Sequence, residues 1–400
     1  MLTGKNVVLG VTGSIAAYKI AGLASMLKKL HCNVDVIMTK NAINFINPIT
    51  FETLTGNKCI IDTFDRNFQY NVEHISLAKK ADIFLVAPAS ANVIGKLAAG
   101  IADDMLTTTF LACNSKKIIA PAMNTNMYMN PIVQDNLKKL SSYGIEVIEP
   151  DNGYLACGDT GAGKMPSEQT LLDYIVKNIA LEKDMEGLKV CVTAGPTREA
   201  IDPVRYISNN STGRMGYEIA RNAMLRGADV TLISGPVHIP AVPFVKIINV
   251  VSAEDMYQAV MNTMEQEDCD IVVKAAAVAD YRPQTISDQK IKKSDSDMSI
   301  KLERTSDIIG ELGKKKAGSK KPFLCGFSME TQNMLENSRK KLEKKNLDMI
   351  VANNVKVSGA GFGTDTNVVT LITRDACDEL EIMSKFEVAG KIFDAILNHA

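Results

Sequence analysis

Short apolar runs alternate with helical stretches along most of the chain. The first run is Asn6–Val11, and a glycine-containing turn and a helical stretch over Ile15–Leu30 follow it. Alternating strands and helices are typical of parallel sheets that are covered by helices on both faces. The pattern therefore predicts an α/β fold. Further strand-like runs in this half are Asn33–Met38, Asp82–Ala87, Lys117–Ala120 and Ile145–Ile148.

The same pattern begins again at Leu188–Thr193, after the charged stretch Leu181–Gly187. A chain of 400 residues is long enough for two domains. We therefore predict two doubly wound domains with mostly parallel sheets, over residues 1–180 and 188–400, joined by a hinge. The segment Gln284–Lys321 is charged and weakly periodic, and it predicts a long loop with some hairpin character. The later strand-like runs are Asp229–Ile233, Val245–Val251, Asp270–Ala276, Phe323–Phe327, Met349–Ala352 and Val368–Thr373.

Composition narrows the function classes. A net charge of -1 provides no global electrostatic attraction to nucleic acid or to an anionic membrane. No apolar run approaches the roughly 20 residues that span a bilayer, and the first residues show no signal-peptide pattern. The 8 cysteines show no CxxC spacing, which argues against a zinc site. Scattered unpaired thiols predict a reducing cytoplasm.

Polar residues follow several strand-like runs of the first half. The motif GVTGSIAAYK at Gly10–Lys19 leaves a strand and enters a helix, where backbone N–H groups can bind phosphate. Its spacing is not GxGxxG, so a mononucleotide is as good a ligand as a dinucleotide. Thr39 ends the second run, and Ser90 and Asn92 follow the third. Open parallel sheets bind ligands at such strand ends. The alternative for Ser90 and Asn92 is that they cap the following helix.

Two further motifs carry an amide and a thiol. PAMN at Pro121–Asn124 places Asn124 just after a strand-like run. The glycine-rich stretch GYLACGDTGAGKM at Gly153–Met165 surrounds Cys157, as expected of a mobile active-site lid. A surface loop with a buried small residue is the alternative. His74 by itself indicates an ordinary surface or core histidine. Beside such a lid, it is instead a candidate base or a partner for a carboxylate.

These first-half motifs closely resemble the flavin-dependent cysteine decarboxylases. More narrowly, they resemble the N-terminal half of the bifunctional phosphopantothenoylcysteine decarboxylase/phosphopantothenate–cysteine ligases of coenzyme A synthesis. The resemblance implies a flavodoxin-like or Rossmann-like domain that binds FMN. It assigns catalysis and substrate binding to His74, Asn124 and Cys157. The FMN-binding residues that it implies are Gly13, Ser14, Ile15, Thr39, Ser90, Asn92 and Ala122.

The implied chemistry explains these residue types. A carboxylate next to a plain CH–CH2SH unit has no electron sink, and oxidation of the thiol to a thioaldehyde by the flavin provides one. The enethiolate that forms on loss of CO2 must then be protonated and reduced. Asn124 would bind the substrate carboxylate or amide, and Cys157 would donate the proton. His74 would assist thiol activation or position the carboxylate.

The second half has its own loop motifs. The stretch TAGPTREAIDPVRYISNNSTGRMG at Thr193–Gly216 runs from a strand to a helix that is predicted to begin near Thr212. AAAVADYRP at Ala275–Pro283 ends another strand with small residues, which let a ligand lie against the backbone, and Asp280 adds a charge. The residues of the first loop that suit an anionic or amide-bearing ligand are Arg198, Arg205, Asn209 and Asn210.

Two lysine groups are ambiguous by themselves. KIKK at Lys290–Lys293 is a basic cluster in the predicted long loop, and such a run is ordinarily a solvated surface. Lys341 and Lys345 are four residues apart and share one face of a predicted helix.

Together with the GFSMET and KKNLDMIVAN segments, these motifs resemble the ligase half of the same bifunctional family, in order and up to the C-terminus. The resemblance implies that phosphopantothenate attacks CTP to form an acyl-cytidylate, from which the amine of cysteine displaces CMP. Asn209 would bind the acyl-cytidylate and Lys290 would stabilise phosphate charge, while Mg2+ would bridge the phosphates. SNNSTGRMG and GFSMET depart mildly from the expected SNxSSGKMG and GFAAET. The residues implied to line the CTP site are Asp280, Phe327, Lys341 and Lys345.

Three alternatives remain open on the residues alone. They are an oxidoreductase with two nucleotide-binding folds, a flavoprotein that decarboxylates peptidyl cysteines and carries an unrelated binding module, and a non-enzymatic regulatory subunit. The absence of GxGxxG counts against the first, and the presence of Cys157 and His74 counts against the third. Because related flavoproteins are trimers with flavin between subunits, the resemblance also implies a homo-oligomer that acts on small molecules, and a dodecamer is the assembly that we expect.

Overall fold

The computed structural model describes residues 1–64, 72–156, 158–293, 297–316, 318–329, 333–353 and 363–399. The chain divides into two compact units, Met1–Leu181 and Glu182–Ala400. Each unit contains its own mostly parallel sheet with helices packed against it. The predicted fold class, α/β with two doubly wound sheets, is therefore confirmed.

The first unit is built on a parallel sheet with the strand order β3-β2-β1-β4-β5-β6. The chain moves outward from β1 to β3 and returns on the other side of β1 as β4. Such a reversal opens a crevice at the carboxyl ends of β1 and β4, where open sheets bind their ligands. The strands of this unit are β1 Asn6–Val11, β2 Asn33–Met38, β3 Cys59–Ile60, β4 Ile83–Ala89, β5 Lys116–Pro121, β6 Glu146–Val147, β7 Asp151–Tyr154 and β8 Thr160–Lys164.

Helices cover the sheet and bury its apolar side chains. On one face, Phe84 of the sheet meets Phe110 edge to face, with the ring centroids 5.4 Å apart. The helix predicted over Ile15–Leu30 is a short 3-10 turn, Ile15–Tyr18, that continues into α1. The helices are α1 Lys19–Lys29, α2 Pro48–Thr55, α3 Glu73–Lys80, α4 Ala91–Ala99, α5 Met105–Ala112, α6 Thr125–Tyr128, α7 Pro131–Ser142 and α8 Glu168–Ile179.

The glycine-rich motif forms the antiparallel hairpin β7–β8 rather than an irregular loop. Gly163 has a φ of +130°, and a Cβ atom at this position would lie 2.3 Å from the carbonyl oxygen of Met123. Glycine is therefore needed here for close contact with the PAMN loop as well as for conformational freedom.

The second unit has a sheet with the order β13-β12-β9-β14-β17-β18-β20-β21, antiparallel only at its β20 and β21 end. Its strand order reverses between β9 and β14, so the second crevice opens there. The strands are β9 Lys189–Ala194, β10 Arg198–Ala200, β11 Tyr206–Ser208, β12 Asp229–Ser234, β13 Lys246–Asn249, β14 Ile271–Lys274, β15 Tyr281–Pro283, β16 Leu302–Arg304, β17 Phe323–Met329, β18 Met349–Asn353, β19 Thr366–Asn367, β20 Val369–Thr373, β21 Cys377–Glu379 and β22 Met383–Ser384.

The segment Gln284–Lys321 is only partly the long loop that we predicted. The pairing of β15 with β16 supplies the hairpin character, but a helix begins at Ile308 and is capped by Asp307. The helix forms because Ile308, Ile309 and Leu312 recur at helical spacing and become buried. The helices of this unit are α9 Arg214–Leu225, α10 Ala253–Glu267, α11 Ile308–Lys315, α12 Met334–Lys344 and α13 Lys385–His399.

Across the described residues, none of the helices combines the length and the apolar character needed to cross a membrane.

Candidate functional sites

The residues predicted to bind flavin lie at one edge of the first sheet. Val11 of β1 pairs with Met38 of β2, and Ala89 of β4 pairs with Pro121 of β5, so these four strands end side by side. The structure therefore brings together loops that are far apart in sequence. The predicted residues in these loops, or in the first turn of the helix that follows, are Gly13, Ser14 and Ile15 after β1, Thr39 after β2, Ser90 and Asn92 after β4, and Ala122 after β5.

A buried threonine that the motifs did not single out joins the two sides of this crevice. The hydroxyl of Thr12 donates to the carbonyl oxygen of Pro88 at 2.6 Å and accepts from the backbone N–H of Ser90 at 3.0 Å. The Ser90 hydroxyl in turn accepts from the backbone N–H of Val93, at 3.4 Å, and so caps α4. Ser90 is thus a helix cap that also lies at the ligand-binding edge.

Thr39 differs from Thr12 because its hydroxyl is buried and has no hydrogen-bond partner among the described residues. A buried polar atom without a partner costs free energy, so it marks a position where a ligand can supply the partner. The hydroxyl and phosphate groups of a flavin mononucleotide are suitable partners. The edge residues therefore fit the predicted cofactor.

Asn124 connects the PAMN loop to the β7–β8 hairpin. Its Oδ1 atom accepts from the backbone N–H of Asn126, and its Nδ2 atom donates to Oδ2 of Asp159, both at 2.8 Å. The backbone N–H of Met123 also donates to the carbonyl oxygen of Gly163, at 3.0 Å. The amide and the hairpin therefore form one structural group. Cys157, which lies between β7 and β8 in the sequence, is outside the described residues.

His74 occupies the first turn of α3 and is partly buried. This helix connects β3 to β4, so in a parallel sheet its N-terminal end lies at the carboxyl edge. His74 and Asn124 are thus carried by different elements of the same edge, and their joint action remains a prediction.

Two adjoining cavities lie at the crevice of the second unit. The first has a volume of about 340 Å3 and extends to Asp307 and Lys345, and the second has a volume of about 480 Å3 and extends to the loop at Asn209–Gly213. The residues that line both are Lys274, Val278, Asp280, Phe327 and Lys341.

The predicted ligase residues, except Lys290, lie on these two cavities. Asp280, Phe327 and Lys341 line both, Lys345 lines the first, and Asn209 lines the second. The Asn209 side-chain amide donates to the carbonyl oxygen of Ala277 at 2.9 Å, which joins the loops on the two sides of the crevice. The structure therefore brings five of the six predicted ligase residues to one place.

A lysine–carboxylate pair lies on the first cavity. Lys345 and the carboxylate of Asp307, the N-cap of α11, lie 2.8 Å apart. Burial by itself would raise the pKa of Asp307, but the hydrogen bond and charge of Lys345 and the backbone N–H of Gly310 lower it overall. Asp307 is therefore ionised at neutral pH. Its position was missed because α11 was not predicted, although an Asp before Ile308 and Ile309 is a recognisable helix start.

Lys290 lies outside both cavities. It is exposed on the loop between β15 and β16, next to Ile291, whose backbone N–H donates to Oδ2 of Asp202 at 3.2 Å. The guanidinium of Arg205 also binds Asp202, with Nη2 and Oδ2 2.5 Å apart, and this hydrogen bond lowers the pKa of the carboxyl group. Arg205 therefore holds the loop in place rather than facing a ligand. The role of Lys290 remains a prediction.

The far end of the second cavity contains groups that sequence reasoning missed. The helix α9 begins there after Gly213, which has a φ of +80° that favours glycine. Buried Lys385 donates to the carbonyl oxygen of Thr364, and burial lowers its pKa. The side-chain oxygen of Asn353 is buried and has no hydrogen-bond partner among the described residues. A helix N-terminus beside a buried cation suits a phosphate.

Over the part of the chain that the structure describes, no group of three or more His, Cys, Asp or Glu side chains is placed to hold a metal ion. Asp280 and Asp307 nevertheless line the first cavity. Mg2+ held mainly by nucleotide phosphates needs only one or two such carboxylates.

The fold and the sites define a class of α/β protein with one candidate ligand site at the crevice of each of two sheets. Two family models match the chain. Residues 1–180 match the family described as Flavoprotein, and residues 185–399 match the DNA/pantothenate metabolism flavoprotein C-terminal domain.

Full-length relatives are similar over nearly the whole chain. The chain is 49% identical over 400 residues to the coenzyme A biosynthesis bifunctional protein CoaBC of Bacillus subtilis, covering 99% of this chain and 97% of that protein. Its identity to the protein of the same name from Haemophilus influenzae is 43% over 396 residues, with 99% and 98% covered. For the Escherichia coli K12 protein the identity is 40% over 394 residues, with 98% and 96% covered.

The chain belongs to this family of bifunctional coenzyme A biosynthesis proteins. The resemblance inferred from the motifs is thereby confirmed. The prediction of a bifunctional enzyme that carries out two steps of coenzyme A biosynthesis, a ligation and a decarboxylation, is confirmed with it.

Proposed function

We propose that the second unit, predicted over residues 188–400, ligates 4'-phosphopantothenate to cysteine with CTP. The observation that supports this most directly is the pair of adjoining cavities at one crevice, with Lys274, Lys341 and Lys345 around the first. Clustered ammonium groups suit a triphosphate, and the second cavity provides space for the acid that attacks it.

The reaction is a nucleotide-activated amide synthesis. A carboxylate oxygen of phosphopantothenate forms a bond to the α-phosphorus of CTP, and pyrophosphate leaves with the electron pair of the broken P–O bond. The cysteine amine then forms a bond to the acyl carbon, and CMP leaves. Asn209 is placed beside the Ala277 backbone to hold the acyl-cytidylate. Asp280, Phe327, Lys341 and Lys345 would hold the nucleotide.

The two ends of the substrate have suitable places in the second cavity. The phosphate of phosphopantothenate would bind where α9 begins, near Lys385, because the helix N-terminus and the cation both favour a dianion. Its carboxylate would then point toward Lys274 and the nucleotide. Mg2+ would be held by the nucleotide phosphates with Asp280 or Asp307 nearby, and Lys290 would reach the phosphates from its loop.

We propose that the first unit, predicted over residues 1–180, decarboxylates the ligation product. Its support is the convergence of strand-end loops at one edge. The buried Thr39 hydroxyl at this edge has no hydrogen-bond partner among the residues that the structure describes. When bound there, FMN supplies reversible oxidation of the substrate thiol. The residues that would hold it are Gly13, Ser14, Ile15, Thr39, Ser90, Asn92 and Ala122.

The protein groups bind and orient the substrate and transfer protons. Asn124 would bind its carboxylate or amide while it anchors the hairpin, so the hairpin would close on a bound substrate. Cys157 would protonate the enethiolate, and His74 would activate the thiol or position the carboxylate. Each role follows from the resemblance.

Oligomerisation and location are further parts of the proposal. Exposed apolar side chains lie on the connections that follow β1 and β2, where a partner subunit would cover them: Ile15, Tyr18, Phe45 and Ile49. This supports a homo-oligomer with shared flavin sites, for which we propose a dodecamer. Unpaired thiols support a cytoplasmic protein. A fully active monomer at assay concentration would contradict the shared sites.

One reconstitution tests both activities. The purified protein should contain the mononucleotide flavin, release pyrophosphate when given CTP and phosphopantothenate, and release CO2 only when cysteine is also added. Finding FAD, or pyrophosphate release that does not need CTP, would refute the corresponding half. Cys157→Ser should still release CO2 but accumulate the oxidised enethiol.

Two variants separate the ligase steps. Lys290→Gln should slow pyrophosphate release, because a cation that stabilises phosphate charge is lost. Asn209→Asp should leave pyrophosphate release partly intact but impair transfer to cysteine, because a carboxylate replaces the amide beside the intermediate. Both should keep their flavin and decarboxylate added phosphopantothenoylcysteine. Wild-type ligation in both would remove the two residues from the mechanism.

A further inference from the structure

Lys274 lies where the two cavities of the second unit meet. It is the last residue of the central strand β14, between Thr193 of β9 and Gly326 of β17. Its side chain is partly buried, and the ammonium group donates to the carbonyl oxygen of Ala276 at 3.1 Å. It lines both cavities, so a group bound in either one can reach it.

The charged groups that act on Lys274 come from three neighbouring segments of the second unit. Lys341 and Lys345 belong to the end of α12, Asp280 to the loop after β14, and Asp307 to the start of α11. Three cations thus face two carboxylates, and one of these carboxylates, Asp307, is paired with Lys345. Burial, followed by repulsion from Lys341 and Lys345, lowers the pKa of Lys274 to about 8. The cluster has an excess of positive charge that an anion would neutralise.

We propose that Lys274 is a further catalytic residue of the ligase reaction, binding the oxygen atoms at the point where the substrate carboxylate meets the α-phosphate of the nucleotide. The inference rests on the proposed ligation in the second unit. Two anions must come into contact in this step, and their repulsion opposes bond formation. A cation that touches both cavities reduces that repulsion, and its effect is strong in a partly buried site.

Lys274 keeps its proton during the reaction. The carboxylate oxygen forms the new bond to the α-phosphorus, the bond to the bridging oxygen breaks, and pyrophosphate takes the electron pair. The role therefore requires the ammonium form. A bound polyphosphate stabilises this form and raises its pKa, so binding takes up a proton when the pH is near or above the pKa of the free protein. Nucleotide affinity should decrease as the pH rises through about 8.

Proton uptake can be measured by titrating the full-length protein with CTP alone in calorimetry at pH 8, in two buffers of different ionisation enthalpy. The wild-type protein should take up about half a proton per site, because Lys274 is about half protonated there. Lys274→Met should take up much less. Lys320→Met, which removes an exposed lysine from outside both cavities, should behave as the wild type.

The rate of pyrophosphate release supplies the second measurement. Lys274→Met should lower it about 100-fold, as expected for the loss of one group that stabilises developing charge. Lys274→Arg should release pyrophosphate faster than Lys274→Met, because arginine keeps the positive charge. On binding CTP it should take up far fewer protons than the wild-type protein. The decarboxylation of added product should stay at the wild-type rate in all these variants.

The outcomes separate this inference from the proposed function. If Lys274→Met releases pyrophosphate at the wild-type rate, or if Lys274→Arg takes up as many protons as the wild-type protein when CTP binds, the role of Lys274 is refuted. The wild-type and Lys274→Arg measurements decide the question even if Lys274→Met does not fold. If the wild-type protein does not bind CTP at all, the proposed nucleotide site itself is refuted.

Discussion

Two threonines at the flavin edge show how much depends on a single hydroxyl group. Thr12 and Thr39 both follow strands of the first sheet and both are buried. Thr12 uses its hydroxyl twice, toward Pro88 and Ser90, whereas the Thr39 hydroxyl has no partner in the described part of the chain. The first hydroxyl therefore serves the fold, and the second is available to a ligand.

This contrast predicts opposite effects of the same substitution. Thr39→Val should leave the free energy of unfolding of the flavin-free protein unchanged or slightly higher, because no hydrogen bond is lost. FMN affinity should fall about tenfold, which corresponds to about 1.4 kcal/mol. Thr12→Val should instead lower the free energy of unfolding by about 1–3 kcal/mol, because it leaves the Ser90 N–H without its partner. Denaturant unfolding and flavin titration measure both. Equal destabilisation by the two changes would show that the Thr39 hydroxyl has a partner without flavin.

The pair formed by Asn124 and Asp159 predicts a second result at this scale. Asn124→Asp should release the hairpin, because two carboxylates would face each other where a 2.8 Å hydrogen bond now lies. Adding Asp159→Asn should restore the hydrogen bond with donor and acceptor exchanged. The coupling free energy between positions 124 and 159 should then be about 1 kcal/mol, and the hairpin should resist proteolysis again.

Decarboxylation in the double variant should nevertheless be about 100-fold slower than in the wild-type protein, because the carboxylate at position 124 repels the substrate carboxylate. If the double variant decarboxylates at the wild-type rate, Asn124 acts only by holding the hairpin.

At the scale of elements, the β7–β8 hairpin is held against the PAMN loop by a contact that only glycine permits. At Gly163 a Cβ atom would meet the carbonyl oxygen of Met123 at 2.3 Å, whereas at Gly153, on the other strand, the nearest atom would be Lys164 Cδ at 3.5 Å. The two glycines belong to one hairpin but have different tolerances for a side chain.

Gly163→Ala should therefore displace the hairpin and destabilise the first unit by more than about 1 kcal/mol, since the residue also has a positive φ. Gly153→Ala is the matched control and should unfold like the wild-type protein. Limited proteolysis and decarboxylation rates report on the hairpin, and pyrophosphate release should be unaffected in both. Wild-type hairpin protection in Gly163→Ala would show that the loop and the hairpin are not held by this contact.

At the scale of the whole molecule, each unit has a core of its own. In the first, Phe84 and Phe110 belong to a cluster of sheet and helix residues between Val8 and Leu140. In the second, a separate cluster runs from Cys191 to Ile372. A unit that has its own core and a complete sheet can fold independently.

We therefore expect residues 1–181 and 182–400 to fold when they are produced separately. The first should retain FMN, and the second should release pyrophosphate when given CTP and phosphopantothenate. A cut after Asn249, which separates β13 from the strands that follow, should give no folded second unit. Loss of flavin from the isolated first half would contradict the independence of the units.

Much of the fold could be predicted from the sequence, because strands buried on both faces leave continuous apolar runs. Asn6–Val11 and Asn33–Met38 were predicted with the bounds that the structure has. Short edge elements were not predicted. The two-residue strand Cys59–Ile60 has too few positions to show a period, and α11 was hidden in a charged segment.

The candidate sites, like the fold, could be predicted only in part from the sequence. The motifs by themselves predicted which loops would carry ligand groups, because phosphate and amide recognition needs glycine, small residues and polar side chains in a local order. Tertiary structure alone decided which of these groups meet. It joined Asn124 to the hairpin, directed Arg205 to Asp202 rather than to a ligand, and placed Lys274 between two cavities. Such contacts depend on strand order and burial, and no local stretch of sequence specifies either of them.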